Sequence, residues 1–113
     1  MGQMLVTVRY RIEGDHAHFR HDLQKVAGLI AGIPGLVWKI WGIDQDRDIG
    51  VSAYLFASEA SARAFIAGPM IERLRSRPDV TDVSFEFAPV DQDLSEMTGA
   101  ADALGGAPTA AAL

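Results

Sequence analysis

The chain contains no cysteine and no asparagine. Without thiols there is no disulfide, no thiolate nucleophile and no cysteine-based zinc site. Without asparagine there is no N-glycosylation sequon and no short carboxamide to cap a helix or donate to an oxyanion. Bases are scarce as well. Ten Lys and Arg oppose fifteen Asp and Glu, for a net charge of −5. A nucleic-acid footprint is basic, so nonspecific DNA or RNA binding is not expected. Long apolar runs are missing too. The longest, Val26 to Trp38, is too short for a bilayer and contains Pro34, so no membrane partner is expected. There is no GxGxxG, no P-loop and no serine in a nucleophile-elbow context, so nucleotide cofactors and serine hydrolysis are not indicated. The opening Met1-Gly2-Gln3-Met4 has neither a basic n-region nor a myristoylation pattern, which makes the cytoplasm the expected location. Arg outnumbers Lys by 8 to 2 and Ala is abundant, a composition typical of a GC-rich bacterial genome.

What remains is an ordinary globular composition. At 113 residues, with 49% apolar and 22% charged side chains, the chain suits one domain. Leu5 to Ile12 alternates, with Val6, Val8, Tyr10 and Ile12 on one face and Leu5, Thr7, Arg9 and Arg11 on the other, as a strand does. Asp15 is a suitable N-cap for a helix from His16 to Ile33 carrying Phe19, Leu23, Val26, Ala27 and Ile30, ended by Gly32, Pro34 and Gly35. Leu36 to Ile43 reads as a second strand, residues 44–50 as a turn, and Val51 to Phe56 as a third strand. Ser58 opens a helix with Ala62, Phe65 and Ile66 inward. Gly68-Pro69 interrupts it, and Met70, Ile71 and Leu74 continue the apolar face. Val80 to Phe87 is a fourth strand with Val83, Phe85 and Phe87 on one face.

The order βαββαβ specifies an α+β, ferredoxin-like sandwich with a four-stranded antiparallel sheet over residues 1–98. Residues 99–113 are rich in Ala and Gly and are expected to form a mobile tail. Strands two and three are apolar on both parities. Helices cover only one face of a two-layer sandwich, so the other face needs a partner. A homodimer with sheet packed on sheet is therefore expected.

The stretch Pro34-Gly35-Leu36-Val37-Trp38-Lys39-Ile40-Trp41, then Tyr54-Leu55-Phe56, then Val90-Asp91-Gln92-Asp93-Leu94-Ser95 resembles the YdhR-like mono-oxygenases of the dimeric α/β-barrel superfamily, over roughly residues 4–96. The resemblance implies a ferredoxin-like subunit, a dimeric α/β barrel, and a pocket between sheet and helices in each subunit. It also implies a mono-oxygenase that needs no cofactor. Relatives in that superfamily include oxygenases of polyketide-derived aromatics, haem-degrading enzymes, and isomerases or cyclases. Several of them use an asparagine that this chain does not possess.

Individual residues suggest the chemistry. His16, His18 and His21 do not make a metal site, because a helix turns His18 about 160° and His21 about 140° away from His16. His16 alone falls near the apolar stripe, where a group titrating close to neutrality could serve as base. Asp44-x-Asp46-x-Asp48 opens like a calcium loop, but Ile49 and Leu55 stand where Gly and Glu are needed, leaving a solvated turn. No metal is expected. Trp38 and Trp41 differ by three positions, so they occupy opposite strand faces, one toward the dimer interface and one toward the helices. Either could form an aromatic wall against a flat ligand, with Phe65 from the second helix. Tyr54 could donate to a substrate carbonyl. Arg9, Arg11 and Lys39 are cations within apolar strands, suited to pairing with carboxylates such as Asp82 or Glu86, or to steadying a substrate oxyanion. Catalysis is thus expected from His16, Tyr54 and Arg9, and binding of a small apolar or aromatic ligand from Trp38, Trp41, Lys39, Arg11 and Phe65. An isomerase or cyclase working by proton transfer, or a non-catalytic small-ligand-binding dimer, would need the same pocket.

Overall fold

A computed structural model describes residues 2–105. The strands are β1 (Met4–Ile12), β2 (Leu36–Asp44), β3 (Ile49–Phe56) and β4 (Val80–Pro89). The helices are α1 (His16–Ala31), α2 (Glu59–Ile66), α3 (Pro69–Ser76) and α4 (Gln92–Met97). The sheet runs in the order β2-β3-β1-β4, with every neighbouring pair antiparallel. This is the ferredoxin-like βαββαβ arrangement, with the second helical element broken in two at Gly68-Pro69.

Local chemistry accounts for the boundaries. The Asp15 carboxylate accepts from the Ala17 amide at 2.9 Å and starts α1, and the Ser58 hydroxyl accepts from the Ser61 amide at 3.2 Å and starts α2. Pro69 occupies the first turn of α3, where its missing N–H costs nothing. Gly35 has φ +80, and a Cβ there would come within 2.4 Å of the Ser61 side chain, so the turn into β2 requires glycine on both counts. In the β2–β3 turn the Asp44 carboxylate accepts from the Asp46 and Arg47 amides at 3.0 and 3.2 Å, which is the solvated turn expected from the three aspartates.

The core lies between the sheet and α1–α3. Met4, Val6, Val8, Tyr10 and Ile12 of β1 are all buried, as are Phe19, Phe56, Phe65 and Ile71. Each such side chain contributes about 1.5–3 kcal/mol by leaving water. The alternate residues of β1, including Arg9 and Arg11, are exposed on the opposite face.

Two features depart from simple alternation. The β2–β3 register shifts between Leu36 and Trp38, a bulge that re-aims the strand. Leu36 therefore packs against the core instead of sharing the face of Trp38 and Ile40. Asp82, with φ +55, accompanies a similar shift between β1 and β4. Beyond β4, Val90 to Ser95 contains the short helix α4, capped by the Asp91 carboxylate. Residues 99–105 then turn back to the sheet. The Gln3 side-chain amide donates to the Leu104 carbonyl at 2.6 Å, the Trp38 indole donates to the Ala103 carbonyl, and Leu104 is buried. The rest of the expected tail, 106–113, lies outside the described residues. Among the described residues, no helix is long and apolar enough to cross a membrane.

Candidate active site

A cavity of about 150 Å³ opens between the helical face of the sheet and helices α1 and α3. The sheet supplies Tyr10, Lys39, Trp41 and Tyr54. Helix α1 adds Leu23, Val26 and Ile30, α2 adds Phe65, and α3 with its C-cap adds Met70, Ile71, Arg73, Leu74 and Arg77. The wall is therefore apolar and aromatic, with a few polar groups. Antiparallel pairing sets Lys39 opposite Tyr54 and Trp41 opposite Ser52, so three neighbouring strands converge on one patch.

Lys39 dominates the electrostatics. Its Nζ sits 3.2 Å from the centroid of the Trp41 ring and 4.7 Å from that of Tyr54. Among the described residues no carboxylate lies within ion-pair distance of it. Burial without a counter-ion disfavours the ammonium and lowers its pKa to about 7. Burial acts in the opposite sense on the phenols, raising the pKa of both Tyr54 and Tyr10, so both keep their protons. The Tyr54 ring is held by Phe65 and Phe56, at centroid distances of 4.7 and 6.1 Å. Tyr10 lies across Gly50, where a Cβ would come within 2.1 Å of the ring. Only glycine at position 50 lets the ring lie there. The Ser52 hydroxyl beside this patch is buried and makes no hydrogen bond among the described residues.

Arg77 also reaches the cavity, but its charge is compensated. Its guanidinium grips Asp79 at 2.7 and 2.8 Å and reaches Asp22 at 3.1 Å. Hydrogen bonds to the guanidinium hold both carboxyls below the usual range, and the Asp79 contact raises the Arg77 pKa. Arg77 thus fixes the mouth between α1 and β4, and Lys39 is the cation that the sheet contributes to the cavity.

Four of the eight candidate residues come together here: Lys39, Trp41, Tyr54 and Phe65. The other four do not. His16 points to the β2–β3 turn, where its Nε2 lies 2.8 Å from the Asp48 Oδ1. The Asp48 backbone is in the left-handed region, which turns this carboxylate toward the start of α1. His16 consequently clasps helix to turn and does not line the cavity. Arg9 and Arg11 project from the opposite sheet face, where Arg11 pairs with Glu13 at 3.4 Å rather than with Asp82 or Glu86. Trp38 stands beyond the bulge, bonded to the chain end. Sequence reasoning missed Tyr10 and the two arginines of α3 and its cap. Tyr10 had a signal, since it shares the inward parity of β1. Arg73 and Arg77 had none, because a helical arginine is ordinarily solvated. Among the described residues no group of three or more potential ligands is placed to hold a metal.

The family described as "Putative mono-oxygenase ydhR" matches residues 5–101. The chain belongs to the YdhR family. The match spans every strand and helix of the fold and the whole cavity. No protein of curated function matches the chain. Among solved structures, this YdhR-family chain is similar to NE2512, of unknown function, from Nitrosomonas europaea, with a TM-score of 0.66 and 17% identity over 80% of this chain and 91% of that one. It is also similar to SnoaB, a cofactor-independent oxygenase from Streptomyces nogalater, with a TM-score of 0.64 and 17% identity over 81% and 96%. A third is a "putative antibiotic biosynthesis monooxygenase" from Caulobacter crescentus, with a TM-score of 0.63 and 14% identity over 79% and 90%. At these identities the likeness concerns the fold.

Proposed function

We propose that the protein is a cofactor-independent mono-oxygenase of small, electron-rich aromatic compounds, acting in the cavity between sheet and helices. The observation that carries this reading is Lys39, an amine with no ion-pair partner among the described residues, held against the Trp41 and Tyr54 rings and poised near pH 7. A neutral amine there removes a phenolic or enolic proton, and the ammonium so formed steadies the anion. The walls exclude water, and the electron-rich anion reacts with oxygen directly. The Tyr54 hydroxyl donates to a substrate oxygen. Family membership and the fold shared with SnoaB support this reading.

Cavity size narrows the substrate. About 150 Å³ matches an apolar cavity that holds a single benzene ring. The substrate class is thus a one-ring phenol or hydroquinone. Oxygen uptake with a panel of such compounds tests the proposal. We expect turnover with kcat/KM rising through an apparent pKa near 7, and loss of about 10²–10⁴-fold in Lys39→Gln. No uptake across the panel by a folded protein would overturn it, and turnover without oxygen would point to an isomerase or cyclase.

The assembly is a homodimer, sheet on sheet. Leu5, Val37, Ile40 and Val51 are 39%, 40%, 60% and 43% exposed, although each is a large apolar side chain of the sheet. A second copy covers this surface and leaves both cavities free on the outer, helical sides.

A further inference from the structure

We propose that Lys39 is also a nucleophile, which captures small aromatic aldehydes and ketones as a reversible Schiff base. A Schiff-base lysine needs an unprotonated amine, an apolar recess for the carbonyl compound, and a proton donor for the departing water. Lys39, the apolar recess and Tyr54 belong to the same cavity. The amine is buried in the cavity wall beside Trp41 and Tyr54, where burial outweighs the attraction of the ring faces for its charge, and among the described residues no carboxylate pairs with it. The same cavity takes one aromatic ring, so a carbonyl carbon can reach Nζ while its ring lies against the walls. Tyr54 retains its phenolic proton because burial opposes ionisation.

The steps balance as a condensation. The amine lone pair forms a bond to the carbonyl carbon, and a proton moves from nitrogen to oxygen to give the carbinolamine. The Tyr54 hydroxyl passes its proton to the carbinolamine oxygen as it takes up the proton of the nitrogen, so the C–O bond breaks, water leaves and no free phenolate forms. No oxidant or metal takes part, so this reactivity stands independently of oxygenation.

The composition supplies an internal control. The chain has two lysines, and Lys25 is exposed on α1. The purified protein is incubated with 4-hydroxybenzaldehyde and cyanoborohydride at pH 7, then mapped by peptide mass spectrometry. The reduced adduct adds the aldehyde less its carbonyl oxygen. We expect Lys39 to be labelled at least about tenfold more than Lys25, since an ordinary lysine is almost wholly protonated at that pH. Tyr54→Phe should slow labelling while leaving its position unchanged. Comparable labelling of Lys25 and Lys39, or no adduct on Lys39, overturns the inference, and this outcome is read on the wild-type protein without any variant. Labelling with no oxygen uptake, or uptake with no labelling, separates this inference from the proposed oxygenation.

Discussion

The two faces of the sheet follow different rules. On the helical face, β1 buries every inward residue, and the rings of Phe56, Phe65 and Tyr54 stack within a closed core. Its polarity is confined to a few groups, of which Lys39 is the charge on the sheet. On the open face, Thr7, Arg9 and Arg11 of β1 stand beside the exposed Ile40 and Val51 of β2 and β3. Burial converts a common surface residue into a chemical one. An exposed arginine in water is a solvated cation, whereas a lysine buried in a recess with no counter-ion among the described residues approaches neutrality. The same residue class thus serves solubility on one face and reactivity on the other.

Substitutions on the two faces should separate these roles. The largest effect is expected in the core. Phe56→Ala removes a fully buried ring that packs against Phe65 at 5.3 Å, and should cost about 3–5 kcal/mol in urea unfolding. Next comes the open face. Ile40→Asp should leave secondary structure intact by circular dichroism and convert the proposed dimer to a monomer in light scattering, because a charge opposes the paired sheets. A wild type that is monomeric at micromolar concentration would break this half of the comparison. Trp41, which shares the cavity with Lys39, is not the position for that test, since its ring faces the helices. The third effect concerns Lys39 and depends on pH. Its pKa is lowered on folding from 10.5 to about 7, so the unfolded chain binds more protons throughout that window. Stability therefore rises with pH from about 7 to 10.5, and the burial penalty is fully present below 7. Lys39→Met should raise Tm at pH 6, with the gain fading as pH approaches 10.5. An equal gain at both ends would show that Lys39 titrates as it does in water.

Much of this architecture is legible in the residue pattern. Strict alternation in β1 marks its inward face, and Asp15, Ser58 and Pro69 mark helix starts through local hydrogen bonding and backbone geometry. Pattern is weaker at β2, where one extra residue in a bulge changes which side chains share a face. It also missed α4, because six residues with little apolar content give no periodic signal.

Local and periodic rules thus determined the element order, the ferredoxin-like class, the aromatic content of the helical face and the opposite facing of Trp38 and Trp41. Those rules act over a few residues, and the sequence alone contains them. The composition of the cavity was decided only in three dimensions. His16 looked like the base, yet a carboxylate 32 positions away in the turn draws it aside. Lys39 looked like one cation among three, yet the fold buries it with no carboxylate partner among the described residues. Arg77 entered the cavity mouth because Asp22 and Asp79, from different elements, hold it there. A side chain's charge, partner and reach depend on neighbours distant in the chain, and tertiary packing alone brings those neighbours together.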